Sequence, residues 1–251
     1  MPGESETDTD SYYVGAYWGP RKESPRECAE RTATLLNVLA PSDPFFAQWY
    51  KPTRSVKEAH KHPLMPPDVP TLEALFQSGV NREKGGPILE DLGFTFWFGN
   101  GGTGGASAAL RIKCGDSCGA TPNSCVLKFP RTGPNAERLL DASVMARILR
   151  MMETAWAPDW GVATSANFRE ALSEEGSTGT FVGWVTYLSR HRGAVPPLPA
   201  PIRIEPVDKA GSLVILTPEK PLASRPEHVA LGRRAGELLT RAGLLSPVVT
   251  L

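Results

Sequence analysis

The sequence lacks a charge of either sign to act at long range. Lys plus Arg and Asp plus Glu each number 27, and the formal net charge is +0. Such a chain has no global field to draw it onto nucleic acid or anionic lipid, which disfavours a DNA- or RNA-binding module. It also lacks any apolar run near the roughly 18 residues of a membrane span. Residues 1–10 carry Glu4, Glu6, Asp8 and Asp10 where an export signal would be basic and then apolar. A cytoplasmic, unanchored protein is expected. Four cysteines, Cys28, Cys114, Cys118 and Cys125, are too few and too unevenly placed to form a disulfide framework in 251 residues, so they read as reduced thiols.

What the sequence has in plenty is glycine and proline, 24 of each, which implies many turns and long loops. Residues 1–11 read as a disordered acidic lead, with nothing apolar to offset the entropy of ordering it. Residues 12–251 read as a single α+β domain. Tyr12, Tyr13, Val14, Ala16, Tyr17 and Trp18, closed by Gly19 and Pro20, predict a first strand. Ser24, Pro25 and Glu27 then make a capping box with proline in the first turn, and Cys28, Thr32, Leu35, Leu36 and Leu39 recur at helical spacing until Pro41. Cys28 is therefore expected in the core.

Short helical pieces at 44–50, 55–61 and 71–77 are separated by prolines. Runs at 94–98, 108–114 and 125–129 predict an antiparallel meander. A long helix is expected over 134–153, a turn over 156–161, a short helix over 167–172 and a strand over 181–188. A hairpin is expected from strands at 202–207 and 212–217. Ala230, Leu231, Leu238, Leu239 and Ala242 suggest the buried stripe of a last helix closed by Gly243. Without regular strand–helix alternation, the pattern favours a central, mainly antiparallel sheet with helices packed before, within and after the strand region.

Candidate chemistry is thin. The glycine-rich stretch 99–105 invites comparison with a phosphate loop, but no Lys-Ser or Lys-Thr pair and no helix follow it, so a hairpin loop is the simpler reading. Cys114, Cys118 and Cys125 supply three thiols with no fourth ligand nearby, short of the four that structural zinc takes. Buried or turn thiols, and no metal or cofactor, are expected. His60 and His62 read as exposed. His191, His228, Ser107, Glu90 and Asp91 have no nucleophile elbow to join them. The alternative of a small cytosolic hydrolase or nucleotide-binding enzyme using the Gly99 to Gly105 loop is therefore secondary, and no catalytic residue is assigned.

The run Tyr13-Val14-Gly15-Ala16-Tyr17-Trp18-Gly19, followed by Arg21, Glu23, Ser24, Glu27, Cys28, Ala29 and Arg31, resembles the opening of the immunity protein 52 family. Ile112-Lys113-Cys114-Gly115, Pro158-Asp159-Trp160-Gly161, Gly183-Trp184-Val185-Thr186-Tyr187-Leu188 and Gly243-Leu244-Leu245 extend the resemblance over nearly the whole chain. It implies a non-enzymatic cytosolic antitoxin of a type VI secretion or polymorphic toxin system. Its implied partner is a cognate nuclease effector with a restriction-endonuclease-like domain, with no direct contact to nucleic acid, membrane or small-molecule substrate. A nuclease presents basic groups to DNA, so the antitoxin is expected to meet it with carboxylates. Two neighbourhoods qualify: Glu90 and Asp91, with Trp97 and Phe98 as apolar anchors, and Glu170, Glu174 and Glu175.

Overall fold

The computed structural model describes residues 10–51, 53, 56–64, 67–82, 86–172 and 179–249. Most of the acidic lead, residues 1–9, lies outside them. Asp10 and Ser11, expected to be disordered, are tied down: the Asp10 carboxylate accepts from Asn167 N at 3.1 Å, and the Ser11 carbonyl accepts from Ala166 N.

Strand β1 (Tyr12–Trp18) runs first and becomes the middle of the sheet. Helix α1 (Pro25–Leu39) starts at the expected capping box, with Ser24 and Glu27 exchanging backbone and side-chain hydrogen bonds. Two short helices follow, α2 (Val56–Ala59) and α3 (Val69–Ser78), the latter capped by Asp68. Strands β2 (Leu92–Gly99), β3 (Ala109–Asp116) and β4 (Asn123–Lys128) form the expected meander.

The helix expected over 134–153 is two helices, α4 (Pro134–Leu139) and α5 (Ala142–Trp156). Asp141 takes an extended conformation between them and caps α5 by accepting from Ser143 N, so the sequence holds a stop and a fresh start. The predicted turn after α5 is correct only to Asp159. Trp160–Ser165 is strand β5, buried along its whole length. It is followed by α6 (Ala166–Leu172), β6 (Val185–Ser189), the hairpin of β7 (Arg203–Val207) and β8 (Gly211–Ile215), and α7 (Pro226–Arg241). The strand expected from residue 181 thus begins four residues later than read, at Val185.

Among the described residues the fold is α+β: seven α-helices around one antiparallel sheet of eight strands, ordered β2-β3-β4-β1-β5-β6-β8-β7. Tyr12, Val14, Ala16 and Trp18 point from β1 toward α1, α3 and α5, and the same face of the other strands adds Phe98, Leu110, Ile112, Leu127, Tyr187 and Ile215 to this main core. The opposite face is covered by α6, α7 and the segment 244–248, which pack on Trp160, Val162, Leu188 and Val214.

The buried stripe of α7 is His228, Gly232, Ala235 and Leu239, so Ala230 and Ala242 face solvent, contrary to the periodicity reading. A Cβ at Gly232 would lie 2.7 Å from Leu172 Cδ2, and small residues are what allow α7 to approach α6.

Candidate docking surface

The second covering layer stops halfway across the sheet, and side-chain burial records where. Strands β5 and β6 are buried at every position, as expected where both faces are packed. In β1, β3 and β4, by contrast, buried positions alternate with partly exposed ones: Tyr13, Tyr17, Ala109, Arg111, Lys113, Val126 and Lys128 all reach solvent. These residues, with Thr95, Trp97 and Gly99 of β2, line one continuous open face.

Strand register sets the geometry of this face. Trp97 pairs with Arg111, Arg111 with Val126, and Val126 with Gly15, which places the four in a row across four strands. Trp97 is 43% exposed, and the Arg111 guanidinium sits over its ring at 5.5 Å. At the other end of the row Gly15 leaves room for Tyr17, whose ring folds back so that a Cβ at Gly15 would lie 2.6 Å from Tyr17 Oη. The Tyr17 ring stacks on Trp160 at 4.9 Å between centroids. Burial pushes the Tyr17 phenol far above its ordinary value and Tyr13 adds to this, outweighing the opposing fields of Arg169 and Arg111. The hydroxyl therefore stays protonated and able to donate.

Three clefts rim the face, and each takes one of its aromatics. A cleft of about 260 Å³ is lined by Tyr17, Trp160, Arg169 and Phe181. One of about 380 Å³ is lined by Tyr13, Lys128 and Arg131 with Gly104 and Gly105. One of about 310 Å³ is lined by Trp97 and Tyr50 with Gly101 and Gly102. The charge is one-sided: the open-face positions of β1 to β4 hold Arg111, Lys113 and Lys128 and no carboxylate. Lys113 also bonds the buried Asp116 at 2.6 Å beside the face.

The expected contact residues fall in different places. Glu90 and Asp91 are exposed in the turn before β2. Asp91 also has structural work there, its carbonyl accepting from Ser117 N and Cys118 N and its carboxylate from the Ser117 hydroxyl. Trp97 is on the open face, whereas Phe98, expected beside it as a surface anchor, is 1% exposed and points into the main core. Adjacent strand residues face opposite ways, so one strand cannot offer both rings to a partner. Glu170 is exposed on α6, and Glu174 and Glu175 lie outside the described residues.

The alternative enzymatic parts are not assembled. In the glycine-rich loop the amides of Gly102 and Ala108 donate to Asn100 Oδ1, and those of Ala106 and Ser107 to Thr103 and Gly104 carbonyls, so they point inward rather than at an anion. Ser107 Oγ donates to Gly104 O, and His228 Nδ1, in a buried ring, accepts from Leu222 N. The structure does bring Ser189, His191 and Asp159 together, a grouping the sequence did not suggest. His191 Nε2 lies 2.6 Å from Asp159 Oδ1, and Ser189 Oγ is 3.1 and 3.2 Å from the two ring nitrogens. A relay needs the acid on one nitrogen and the hydroxyl in line with the other, whereas Ser189 Oγ lies nearly equidistant from both nitrogens and so is in line with neither. Asp159 is further engaged by Gly19 N at 2.8 Å.

Cys28, Cys114 and Cys125 are buried in the main core and only Cys118 is exposed. Burial pushes the Cys114 and Cys125 thiols up, and neighbouring Cys28 pushes Cys114 further, so neither offers a thiolate. Among the described residues no group of three or more His, Cys, Asp and Glu side chains is placed to hold a metal. None of the described helices is long and apolar enough to cross a membrane.

Comparison with known proteins follows the same lines. A search of solved structures finds a chain described as the Pseudomonas aeruginosa T6SS protein PA0821, at 13% identity and a TM-score of 0.52, covering 94% of this chain and 73% of that one. At that identity the likeness is one of fold. A search of curated proteins finds no match. Immunity protein 52 matches residues 10–248, from the aspartate that fastens α6 to the valine that closes the second layer, and the chain belongs to the immunity protein 52 family.

Proposed function

We propose that this chain is the cytoplasmic immunity partner of a toxin effector delivered by a type VI secretion system, and that it acts by binding rather than by chemistry. The observation that carries the reading is the family match over 10–248. The described fold is compatible with it, offering a broad open sheet face. The fold-level neighbour, named as a T6SS protein, supports the same context.

The finer part of the proposal is that the effector is a nuclease with a restriction-endonuclease-like domain, as the sequence resemblance implies. An antitoxin of such an enzyme must engage before DNA is cut and then release slowly. Either the toxin's active site or its active assembly can be the blocked element.

Co-expression tests both levels. Cells induced for the toxin domain encoded beside this gene should survive only when this chain is present, and their chromosomal DNA should stay intact. Survival without any change in DNA integrity would retain the immunity role and remove the nuclease. Equal killing with and without the chain would remove both.

A further inference from the structure

We propose that the open half-sheet is the docking face for the effector, and that the effector meets it with an acidic surface. This rests on the immunity reading above and adds the partner's chemistry. It reverses the sign expected from sequence, where the carboxylates of the antitoxin were to meet a basic toxin.

Three features point this way. The face is a broad area of sheet left unpacked among the described residues, and beyond the polar alternation usual for an antiparallel sheet it exposes a large aromatic side chain, Trp97. Its cations are built in: the Arg111 guanidinium lies over the Trp97 ring, and Lys113 is fixed by Asp116 and Thr121. Lys128 completes the set, and Arg169 and Arg131 stand at the rim in two of the clefts. Held arginines lose less freedom on pairing with carboxylates than free ones, and a partly desolvated arginine offers a planar fork suited to them. The phenol of Tyr17 adds a donor in line with Arg111.

An aromatic, basic sheet face is also what single-stranded nucleic acid stacks on. The observations favour the protein partner. Trp97 already has a guanidinium over its ring, Tyr17 is stacked on Trp160, and the chain carries no net positive charge to collect phosphates. A nuclease centre that holds divalent cations is itself a group of carboxylates, which such a face complements.

The test uses the whole chain and the toxin domain encoded beside it, with binding followed by stopped-flow and by surface-immobilised dissociation at low and high salt. Wild-type protein should bind; absence of binding would refute the immunity reading and this proposal with it. Given binding, Arg111→Glu with Lys128→Glu should slow association about tenfold or more at low salt and flatten its salt dependence. Trp97→Ala should speed dissociation about tenfold or more. Lys128→Glu alone, at an exposed position that does not threaten folding, should show part of the association effect, and Arg234→Glu on the exposed side of α7 should show none.

Unchanged rates in the Lys128 and Trp97 variants would overturn the proposal, as would a loss confined to the Glu90→Lys, Asp91→Lys variant, which would move the interface to the acidic turn. Retained toxin binding together with loss of binding to a single-stranded oligonucleotide would assign the face to nucleic acid instead.

Discussion

The buried carboxylate of Glu23 places Oε1 2.7 Å from Arg31 Nε. Arg21 Nε reaches the same oxygen at 3.0 Å, and the two guanidiniums continue to the last carbonyls of α5, Arg21 to Trp156 O and Arg31 to Ala155 O. One carboxylate thereby joins the segment after β1, helix α1 and the negative end of α5. Arg21 also lies over Trp18, which stacks on Trp156 at 4.9 Å. Glu23→Ala leaves two partly exposed arginines facing each other. The buried-pair cost of roughly 3–5 kcal/mol is reduced by their access to solvent, to about 2 kcal/mol. Urea unfolding should show this loss, and Arg26→Ala, whose pair with Glu30 is exposed, should cost less than about 0.5 kcal/mol.

Trp97 and Phe98 make a matched pair of substitutions on one strand. Phe98→Ala empties a buried ring site in the main core and should destabilise the chain by about 3–5 kcal/mol. Trp97→Ala removes a half-exposed ring and one cation–π contact, and should cost about 1 kcal/mol or less. Comparable losses from the two would contradict the facing assigned to β2.

The thiols should sort by burial. Cys118 lies in the turn after β3, and Cys28, Cys114 and Cys125 are buried. A disulfide-exchange reagent at neutral pH should titrate one thiol per native chain quickly and the remaining three only on unfolding. Two or more fast thiols in the native protein would contradict the packing of α1 on β3 and β4.

Asp116 gives the fold an acid sensitivity of defined sign. Burial alone would raise its carboxyl, but hydrogen bonds from Lys113, Cys118 Sγ and Gly119 N outweigh this and hold it below its ordinary 3.8. A carboxyl lowered in the folded state contributes stability at pH values above the unfolded-state value and loses it as pH falls through the folded one. Asp116→Asn should therefore cost about 1–3 kcal/mol at pH 7, and the gap to wild type should close as the pH drops below about 4. A gap that widens on acidification would reverse the assignment.

What could be read from the sequence was what local chemistry decides. The Ser24 to Glu27 cap, the β2-β3-β4 meander and the burial of Cys28 follow from turn residues and short-range periodicity. Strand β5 was hidden because its pattern is tertiary. A strand packed on both faces shows no alternation, and Gly161 within it resembled a turn residue. In the structure Gly161 is needed because a Cβ there would lie 2.8 Å from Leu149 Cδ2 of α5. The break before α5 was legible in principle, since Asp141 followed by Ser143 is a cap signal, but the helical residues on either side masked it. The open face could not be seen in advance, because it depends on where the second layer ends, and no stretch of sequence states that α6 and α7 cover only half a sheet.

Gly15 shows how a family motif and the docking face meet in one residue. It lies at the centre of β1, between β4 and β5, where glycine weakens a strand and no turn requires it. Its space is taken by Tyr17: a Cβ would lie 2.6 Å from Oη and 2.7 Å from Cε2 of that ring. In Gly15→Ala the ring must lift from the sheet, away from Trp160, and its hydroxyl leaves the row shared with Arg111. Crowding should cost about 1–3 kcal/mol, offset by roughly 0.5–1 kcal/mol from removing the conformational freedom of glycine. The net loss of stability is expected to stay under about 2.5 kcal/mol, with the larger effect on geometry. The near-ultraviolet circular dichroism and tryptophan emission of Gly15→Ala should therefore change, while Tyr17→Phe, which keeps the stack and removes only the hydroxyl, should leave the emission close to wild type. Both variants should bind the toxin domain more weakly, Gly15→Ala the more so. Wild-type spectra in Gly15→Ala would show that Tyr17 does not rest on Gly15, and the row from Trp97 to Tyr17 would then end at Val126.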